Sequence, residues 1–304
     1  MAEADELERA AELIRAGRLV AFPTETVYGL GANALDPEAV ARVYEAKGRP
    51  SSSPLIVHVS SAEMARTMAA DWPALAETLA ARFWPGPLTM ILRKAEIVPD
   101  IVTAGLDSVG IRVPSHPIAL ELIRRAGVPI AAPSANRFTE ISPTTAEHVR
   151  ASLGGRVDLI LDGGPAQVGI ESTVVSLVRN PPEILRPGMI TGEGLEAVTG
   201  VRWERGNIDL PHIVAPVMES PGLHPRHYAP RTPLYVLEGG EKPPAGRGSV
   251  LEMPGNAAEY AATLYARLHA ADCEGWDWIA VEKPLETPEW TGILDRLKRA
   301  SWRR

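Results

Sequence analysis

Four cationic side chains of this 304-residue chain stand where a strand or a helix is predicted to end, which makes them candidates for chemistry. They are Lys47, Arg49, Arg112 and Arg186. The chain has a formal net charge of −7, so these cations indicate a local anion site rather than a broadly basic surface. Guanidinium and ammonium groups beside serine and asparagine side chains suit a polyphosphate and a carboxylate bound together.

A helix predicted over residues 37–47 positions the first of these cations. Lys47 follows Val40 and Val43 at helical spacing, so it projects from the buried face at the last turn. Gly48 is a suitable C-cap. Complementing the negative end of the helix is the simpler interpretation of Lys47 and Arg49. A lysine on a buried face also needs an anionic partner, and this favours a binding role.

The segment before this helix is predicted to be a buried strand followed by a functional loop. The apolar run over residues 19–22 predicts the strand, and Pro23 ends it because proline removes a ladder donor. Thr24 and Thr26 then fall at the strand exit, where loops commonly carry function. Residues 28–31 include two glycines and are predicted to form a tight turn.

Two further strands place a polar side chain opposite their apolar face. Alternation over residues 55–59 sets His58 apart from the core positions, and alternation over residues 109–113 does the same for Arg112. A satisfied core histidine and an exposed arginine are the simpler interpretations. Strands alternate with helices along the chain, which indicates the α/β class, and ligands usually bind at strand ends in open α/β sheets.

Composition and missing motifs exclude several classes of protein and of binding site. Cys273 is the single cysteine, which excludes a disulfide framework and a cysteine-based metal site. No run approaches the roughly 20 apolar residues of a membrane span, and no apolar signal core is present, so we expect a cytoplasmic protein. No P-loop, dinucleotide fingerprint or Gly-x-Ser-x-Gly elbow occurs. His224 and His227 stand three residues apart, which is weak evidence for a metal site.

Two domains and a linker are predicted. Residues 1–205 carry the alternating strands and helices, and residues 206–230 lose periodicity and contain several prolines. Residues 231–304 form a small α/β unit with strands near 233–237, 249–252 and 278–281 and helices over 257–271 and 289–300.

Several motifs together resemble the YrdC-like family in its long, two-domain form. They are the Pro-Thr-Glu-Thr-Val-Tyr-Gly-Leu run at 23–30, the Lys-x-Arg pair at 47–49, the Ser-x-Asn element at 134–136 and the His-Tyr-Ala-Pro segment at 227–230. The resemblance implies an open, twisted, mixed sheet with a large concave basic cavity, plus a small, shortened Rossmann-like C-terminal domain. It also implies that the linker folds over the active site.

The resemblance further implies a nucleotidyltransferase, an L-threonylcarbamoyladenylate synthase. Such an enzyme converts L-threonine, bicarbonate and ATP to threonylcarbamoyl-AMP and pyrophosphate, for the threonylcarbamoyladenosine modification of tRNA. The residues implied for threonine are Thr26, His58, Arg112, the Ala132 backbone and Ser172. The residues implied for ATP are Lys47, Arg49, Ser53, Ser108, Ser134, Asn136, Ser142, Arg186 and Tyr228. Lys47 and Arg49 are the catalytic candidates, and no side chain is identified as a general base.

The implied cofactor is Mg²⁺ held mainly through the ATP phosphates, without a dedicated protein metal site. The implied downstream partner is a tRNA threonylcarbamoyl transferase complex. We expect no membrane association and no stable tRNA binding, because the net charge is negative. Two alternatives remain open at this point: an RNA-binding module of the same fold, and a relative that forms carbamoyl-adenylate.

Overall fold

The computed structural model describes residues 4–206 and 227–301. Its α-helices are α1 (Ala4–Arg15), α2 (Pro37–Lys47), α3 (Ala62–Met68), α4 (Ala74–Phe83), α5 (Asp100–Thr103), α6 (Pro117–Ala126), α7 (Ala146–Leu153), α8 (Gly192–Thr199), α9 (Ala257–Asp272) and α10 (Thr291–Ala300). None of the helices in these two ranges has the length and apolar character needed to cross a membrane.

The strands form two separate sheets. They are β1 (Val20–Phe22), β2 (Gly29–Asn33), β3 (Ile56–His58), β4 (Leu88–Arg93), β5 (Ser108–Arg112), β6 (Ile130–Ala131), β7 (Leu159–Ile160), β8 (Thr173–Ser176), β9 (Glu183–Arg186), β10 (Glu204–Arg205), β11 (Leu234–Leu237), β12 (Gly248–Leu251) and β13 (Trp278–Glu282). The large sheet has the order β10-β9-β8-β4-β5-β3-β6-β2-β1-β7 and mixes parallel with antiparallel pairs. The predicted open, mixed sheet is confirmed.

The two faces of the large sheet have different surroundings. Val57 of β3 and Ile111 of β5 belong to the main hydrophobic core, which includes apolar residues of α2, α3 and α4. Their neighbours Ile56, His58 and Arg112 point to the opposite side and line a cavity. The alternation predicted from the sequence therefore holds, and it places one polar side chain of each strand in the cavity.

The ends of α2 follow the predicted signals. The Asp36 side chain accepts hydrogen bonds from the backbone of the first turn, and Pro37 is the first helical residue. Gly48 adopts the left-handed conformation with φ of 62° and closes the helix. Lys47 is therefore held on the last turn with its side chain buried.

The predicted tight turn at residues 28–31 is wrong. Gly29 begins β2, which pairs with β1 in antiparallel register, with Gly31 opposite Val20. A Cβ atom on Gly31 would lie 2.7 Å from Cε1 of Phe22 and 2.8 Å from Cγ2 of Ile130. This glycine is needed because neighbouring side chains pack against the strand backbone, and not because the chain reverses there.

The small sheet is entirely parallel, with the order β11-β13-β12. The predicted strands and helices of this unit are present, and only turns and bends lie between β11 and β12. Apolar side chains of α9 and α10 form one core cluster with Val27, Ile141 and Ile170 of the preceding part of the chain. The small unit is therefore packed directly on the segments that surround the cavity. Most of the linker predicted over 206–230 lies outside the described residues, which resume at 227.

Substituting Gly31 with alanine tests the packing around β2. We expect Gly31→Ala to lower the free energy of unfolding by about 1–3 kcal/mol, because the added methyl group overpacks a core site beside Phe22 and Ile130. Gly155→Ala is the control, since its Cβ would meet no atom within 4 Å. Urea unfolding of both variants measures the difference, and equal midpoints would contradict the packing explanation.

Candidate active site

A cavity lies on the face of the large sheet opposite the main core. The residues that line it and that the sequence implied are Thr26, Arg49, His58, Arg112, Ala132, Ser134, Ser172, Arg186 and Tyr228. His58 and Arg112 are the last residues of β3 and β5, and Ala132 directly follows β6, so these residues lie at strand ends. Strand β3 is antiparallel to β6, so their carboxyl ends lie at opposite edges and the site spans the sheet face between them.

The end of α2 supplies a buried ammonium group to the border of this cavity. Lys47 is 2% exposed, and its Nζ donates to the carbonyl oxygens of Ser134 and Asn136, each at 2.5 Å. Burial, and then the charge of Arg49, lower the pKa of Lys47 well below its ordinary value. Because the side chain reaches the loop after β6, it does more than complement the negative end of its own helix.

Arg49 is held by its own loop and faces the cavity. Its Nη2 donates to Oγ of Ser53 and, at 3.0 Å, to the carbonyl oxygen of Pro54. Its guanidinium carbon lies 5.7 Å from the centre of the Phe138 ring. Burial lowers the pKa of Arg49 to about 10, which still leaves it charged at neutral pH. Arg49 therefore keeps its positive charge. Among the described residues, the buried carboxylates of Glu25 and Glu171 form ion pairs with other arginines and not with Arg49.

Arg112 forms a buried ion pair that the sequence did not reveal. Its Nη2 lies 2.7 Å from Oε1 of Glu25, and both side chains are at most 5% exposed. Its Nη1 donates to Oγ1 of Thr26 at 2.9 Å. The backbone N–H of Ser115 donates to the second carboxylate oxygen of Glu25 at 3.1 Å. The guanidinium is thus fixed in orientation between the loop after β1 and the end of β5.

His58 is a neutral group in this part of the cavity. Burial, and then the charge of Arg112, lower the pKa of His58 to about 3. Its ring packs edge-to-face against Phe22, with 6.1 Å between ring centres. Its Nδ1 has no hydrogen-bond partner within residues 4–206 and 227–301. The imidazole can therefore bind a ligand by hydrogen bonding without adding charge to the site.

A second buried carboxylate lines the cavity near Arg186. Oε2 of Glu171 lies 2.7 Å from Nε of Arg296 on α10 and accepts from the Tyr265 hydroxyl at 3.1 Å. Its Oε1 accepts from Oγ of Ser142 at 2.5 Å. Burial raises the pKa of Glu171, but the charges of Arg296 and Arg186 outweigh this effect and the net shift is downward. No local sequence pattern indicates that Arg296, on a helix of the C-terminal unit, contacts a cavity residue.

His227 and Tyr228 line the cavity. Tyr228 is 1% exposed and His227 is 5% exposed, and their ring centres are 4.1 Å apart in an edge-to-face contact. His227 also packs against Phe138 at 5.9 Å, and burial lowers its pKa well below the ordinary value. His227 thus packs between aromatic rings. The possible partner His224 lies outside the described residues.

The remaining implied residues border the cavity, with one exception. Ser53, Asn136 and Ser142 are buried around it and hydrogen bond to neighbouring residues. Ser108 lies at the opposite end of β5 from Arg112 and lines a separate cavity beside Arg93. The structure does not bring Ser108 to the other implied residues.

Comparison with known proteins identifies the family. A profile described as telomere recombination, that of Sua5, YciO and YrdC, matches residues 12–188, which is more than half of the chain. The chain belongs to the Sua5/YciO/YrdC family. A second profile, described as the C-terminal domain of threonylcarbamoyl-AMP synthase, matches residues 190–301. These matches confirm the YrdC-like resemblance, including its long form.

Relatives in this family match almost the whole chain. Proteins named threonylcarbamoyl-AMP synthase from Pyrococcus abyssi and Bacillus subtilis are each 43% identical, over 96% and 97% of this chain and 93% of their own length. A crystal structure of P. abyssi Sua5 complexed with L-threonine has a TM-score of 0.92, 40% identity, and 99% and 95% coverage of the two chains. Neither the RNA-binding alternative nor the carbamoyl-adenylate alternative is supported by these names.

Removing Glu25 tests the buried ion pair. We expect Glu25→Ala to lower the free energy of unfolding by about 3–5 kcal/mol, because Arg112 would keep a buried charge without its carboxylate. Glu147→Ala is the matched control, since its pair with Arg150 is half exposed and such pairs contribute about 0–1 kcal/mol. Denaturant unfolding of both variants measures the loss of unfolding free energy. Equal losses in the two variants would show that the Glu25 pair is not a structural requirement.

Proposed function

We propose that this protein is a threonylcarbamoyl-AMP synthase that joins L-threonine, bicarbonate and ATP. The observation that carries this proposal is the similarity over 99% of the chain to a Sua5 crystallised with L-threonine. The cavity offers the matching chemistry, because buried cations face it from several elements of an acidic protein.

In this proposal Arg112 binds the carboxylate of threonine, with Thr26 beside it. Thr26 and Arg112 are already 2.9 Å apart, so a carboxylate can contact both. His58 contributes a neutral hydrogen-bonding group, and the Ala132 backbone and Ser172 complete the lining. Glu25 offsets the charge of Arg112 before threonine arrives.

Lys47, Arg49 and Arg186 bind the phosphates of ATP in the same proposal. Their serine, asparagine and tyrosine neighbours would complete the nucleotide site: Ser53, Ser134, Asn136, Ser142 and Tyr228. Lys47 and Arg49 are assigned the catalytic role because they are positioned to stabilise charge that develops on the phosphates. Ser108 stays a prediction, and its separate cavity gives it no support.

The reaction needs little covalent help from the protein. The amine of threonine and bicarbonate form a carbamate and release water. A carbamate oxygen then bonds to the α-phosphorus of ATP, the bond from that phosphorus to the bridging oxygen breaks, and pyrophosphate leaves with the electron pair. Holding these groups in line contributes up to about 7–11 kcal/mol.

Mg²⁺ would enter with ATP and be held by the phosphate oxygens. The described residues contain no group of three or more histidine, cysteine, aspartate or glutamate side chains arranged for a metal ion. The carboxylates of Glu25 and Glu171 are already in contact with Arg112 and Arg296. The residues present fit a metal bound mainly by the nucleotide.

The adenylate product would be consumed soon after it forms. A mixed anhydride hydrolyses readily in water, so we propose transfer in the cytoplasm to a tRNA threonylcarbamoyl transferase complex. Stable binding of tRNA by this chain itself is not part of the proposal, because the net charge is −7.

Omitting each substrate in turn tests the proposed reaction. We expect pyrophosphate release only when ATP, threonine and bicarbonate are all present, because the carbamate is the nucleophile. Serine, valine and alanine replace threonine as controls, and the adenylate is identified by mass spectrometry. Undiminished pyrophosphate release with ATP alone would refute the proposal.

Two variants test the division of the cavity into halves. Arg112→Ala should weaken threonine binding roughly ten- to a hundred-fold, because a charge-assisted contact worth about 1.5–3 kcal/mol is lost, while ATP binding changes little. Lys47→Ala should weaken ATP binding more than threonine binding. Calorimetric titration of each variant with each ligand gives the comparison, and equal losses for both ligands in either variant would contradict the assignment.

A further inference from the structure

The buried ion pair between Glu171 and Arg296 joins the two parts of the chain beside the cavity. Arg296 is 0% exposed and lies on α10 of the small unit, whereas Glu171 lies two residues before β8 begins. Besides the 2.7 Å contact between their side chains, Nη2 of Arg296 donates to the backbone oxygen of Glu171 at 3.2 Å. One guanidinium thus fixes both the carboxylate and the backbone of this segment.

Three groups assigned above to ATP are attached to this pair. The hydroxyl of Ser142 donates to Glu171 at 2.5 Å. Nη1 of Arg296 donates at 2.8 Å to the carbonyl oxygen of Pro187, the residue after Arg186. The guanidinium carbon of Arg296 lies 5.2 Å from the centre of the Tyr228 ring. The pair therefore makes three separate contacts with the residues assigned to ATP or next to them.

Tyr228 needs such a support because its backbone is strained. Its φ of 59° is in the left-handed region, which a bulky side chain rarely adopts and which costs about 1–3 kcal/mol. Its ring lies between Arg296 and Tyr265, whose ring centre is 5.9 Å away. Both of these supports come from the small unit, so the conformation of Tyr228 depends on that unit.

We infer that Glu171 and Arg296 are positioning residues for the nucleotide: their ion pair holds Ser142, Arg186 and Tyr228 in the arrangement that binds ATP. The small C-terminal unit is then a part of the nucleotide site and not only a cover for it. This inference rests on the proposed function for the identity of the nucleotide. It predicts that the pair affects ATP more than threonine, since Ser142, Tyr228 and the residue after Arg186 contact the pair, whereas of the residues assigned to threonine Ser172 alone adjoins it within the described residues.

The variants must distinguish a role of Glu171 and Arg296 in positioning the nucleotide-binding residues from a role in folding. Removing one partner leaves a buried charge and destabilises the protein, whereas removing both charges avoids that penalty within the pair. Asp295, which contacts Arg296 at 3.0 Å, keeps its ion pair with Arg299 when Arg296 is replaced. We therefore choose the double variant Glu171→Gln with Arg296→Met. The matched control is Glu238→Gln with Lys283→Met, which removes an exposed ion pair of the same small unit.

Three measurements are made on each full-length protein: thermal unfolding, calorimetric affinity for a non-hydrolysable ATP analogue and for threonine, and steady-state turnover. In the Glu171/Arg296 double variant we expect the KM and Kd for the nucleotide to rise about ten-fold or more, and the Kd for threonine to change less than about three-fold. We expect the control double variant to keep wild-type values for both ligands.

A purely structural role gives a different result. It lowers the amount of active protein, and therefore the apparent kcat, while KM for ATP stays at the wild-type value. That outcome, or equal losses of affinity for ATP analogue and threonine, overturns the inference. If the double variant does not fold, Arg296→Lys keeps the charge but loses the contacts to the backbone at Glu171 and Pro187. A several-fold higher nucleotide Kd in it supports the inference, and a wild-type Kd refutes it.

The two proposals fail in distinguishable ways. If the wild-type protein makes no adenylate from ATP, threonine and bicarbonate, the proposed function is wrong. The calorimetric comparison of nucleotide and threonine affinities does not depend on turnover, so it still tests the role of the ion pair.

Discussion

Burial of positive charge is the constraint on which the rest of this structure depends. Each of the following cations is at most 6% exposed: Lys47, Arg49, Arg112, Arg186 and Arg296. A buried charge is costly unless it is paired and hydrogen bonded, so each of these side chains must be placed against oxygen atoms. Glu25 and Glu171 form ion pairs with two of the arginines, whereas within the described part of the chain the lysine at the end of α2 donates only to backbone carbonyl oxygens. In the proposed function, an incoming anion compensates the charge of this lysine.

The mixed sheet determines where that anion can bind. Because neighbouring strands run in both directions, the carboxyl ends of the strands do not all lie at one edge, and neither do the candidate site residues that follow them. They meet instead on the face that the main core does not occupy, where alternation along β3 and β5 presents His58 and Arg112. A neutral histidine beside a neutralised arginine gives this half of the cavity little net charge, while the half near α2 remains positive. The cavity therefore has two halves that differ in electrostatics, and we propose that threonine binds in the first and the phosphates of ATP in the second.

The small C-terminal unit is short, yet it reaches the site. Its three-stranded sheet lacks any helix or strand between β11 and β12, but α9 and α10 bury apolar residues in a core cluster shared with Ile141, Ile170 and Tyr228. Because of this shared core, Arg296 and Tyr265 lie within hydrogen-bonding distance of Glu171. The size of the unit therefore does not limit its contact with the cavity, because two helices are enough to place these side chains.

The sequence by itself determined the elements and the motif residues at the cavity, since capping residues, strand alternation and the Lys-x-Arg and Ser-x-Asn motifs are local patterns. It correctly placed the ends of α2, and it oriented His58 and Arg112 away from the core. It was wrong about residues 28–31, because a glycine needed for close packing and a glycine needed for a turn look alike in a sequence. Only the tertiary structure decided which carboxylate meets which cation. Glu171 and Arg296 are 125 residues apart, and partners so distant leave no local pattern, because their contact exists only once the sheet and α10 are packed together.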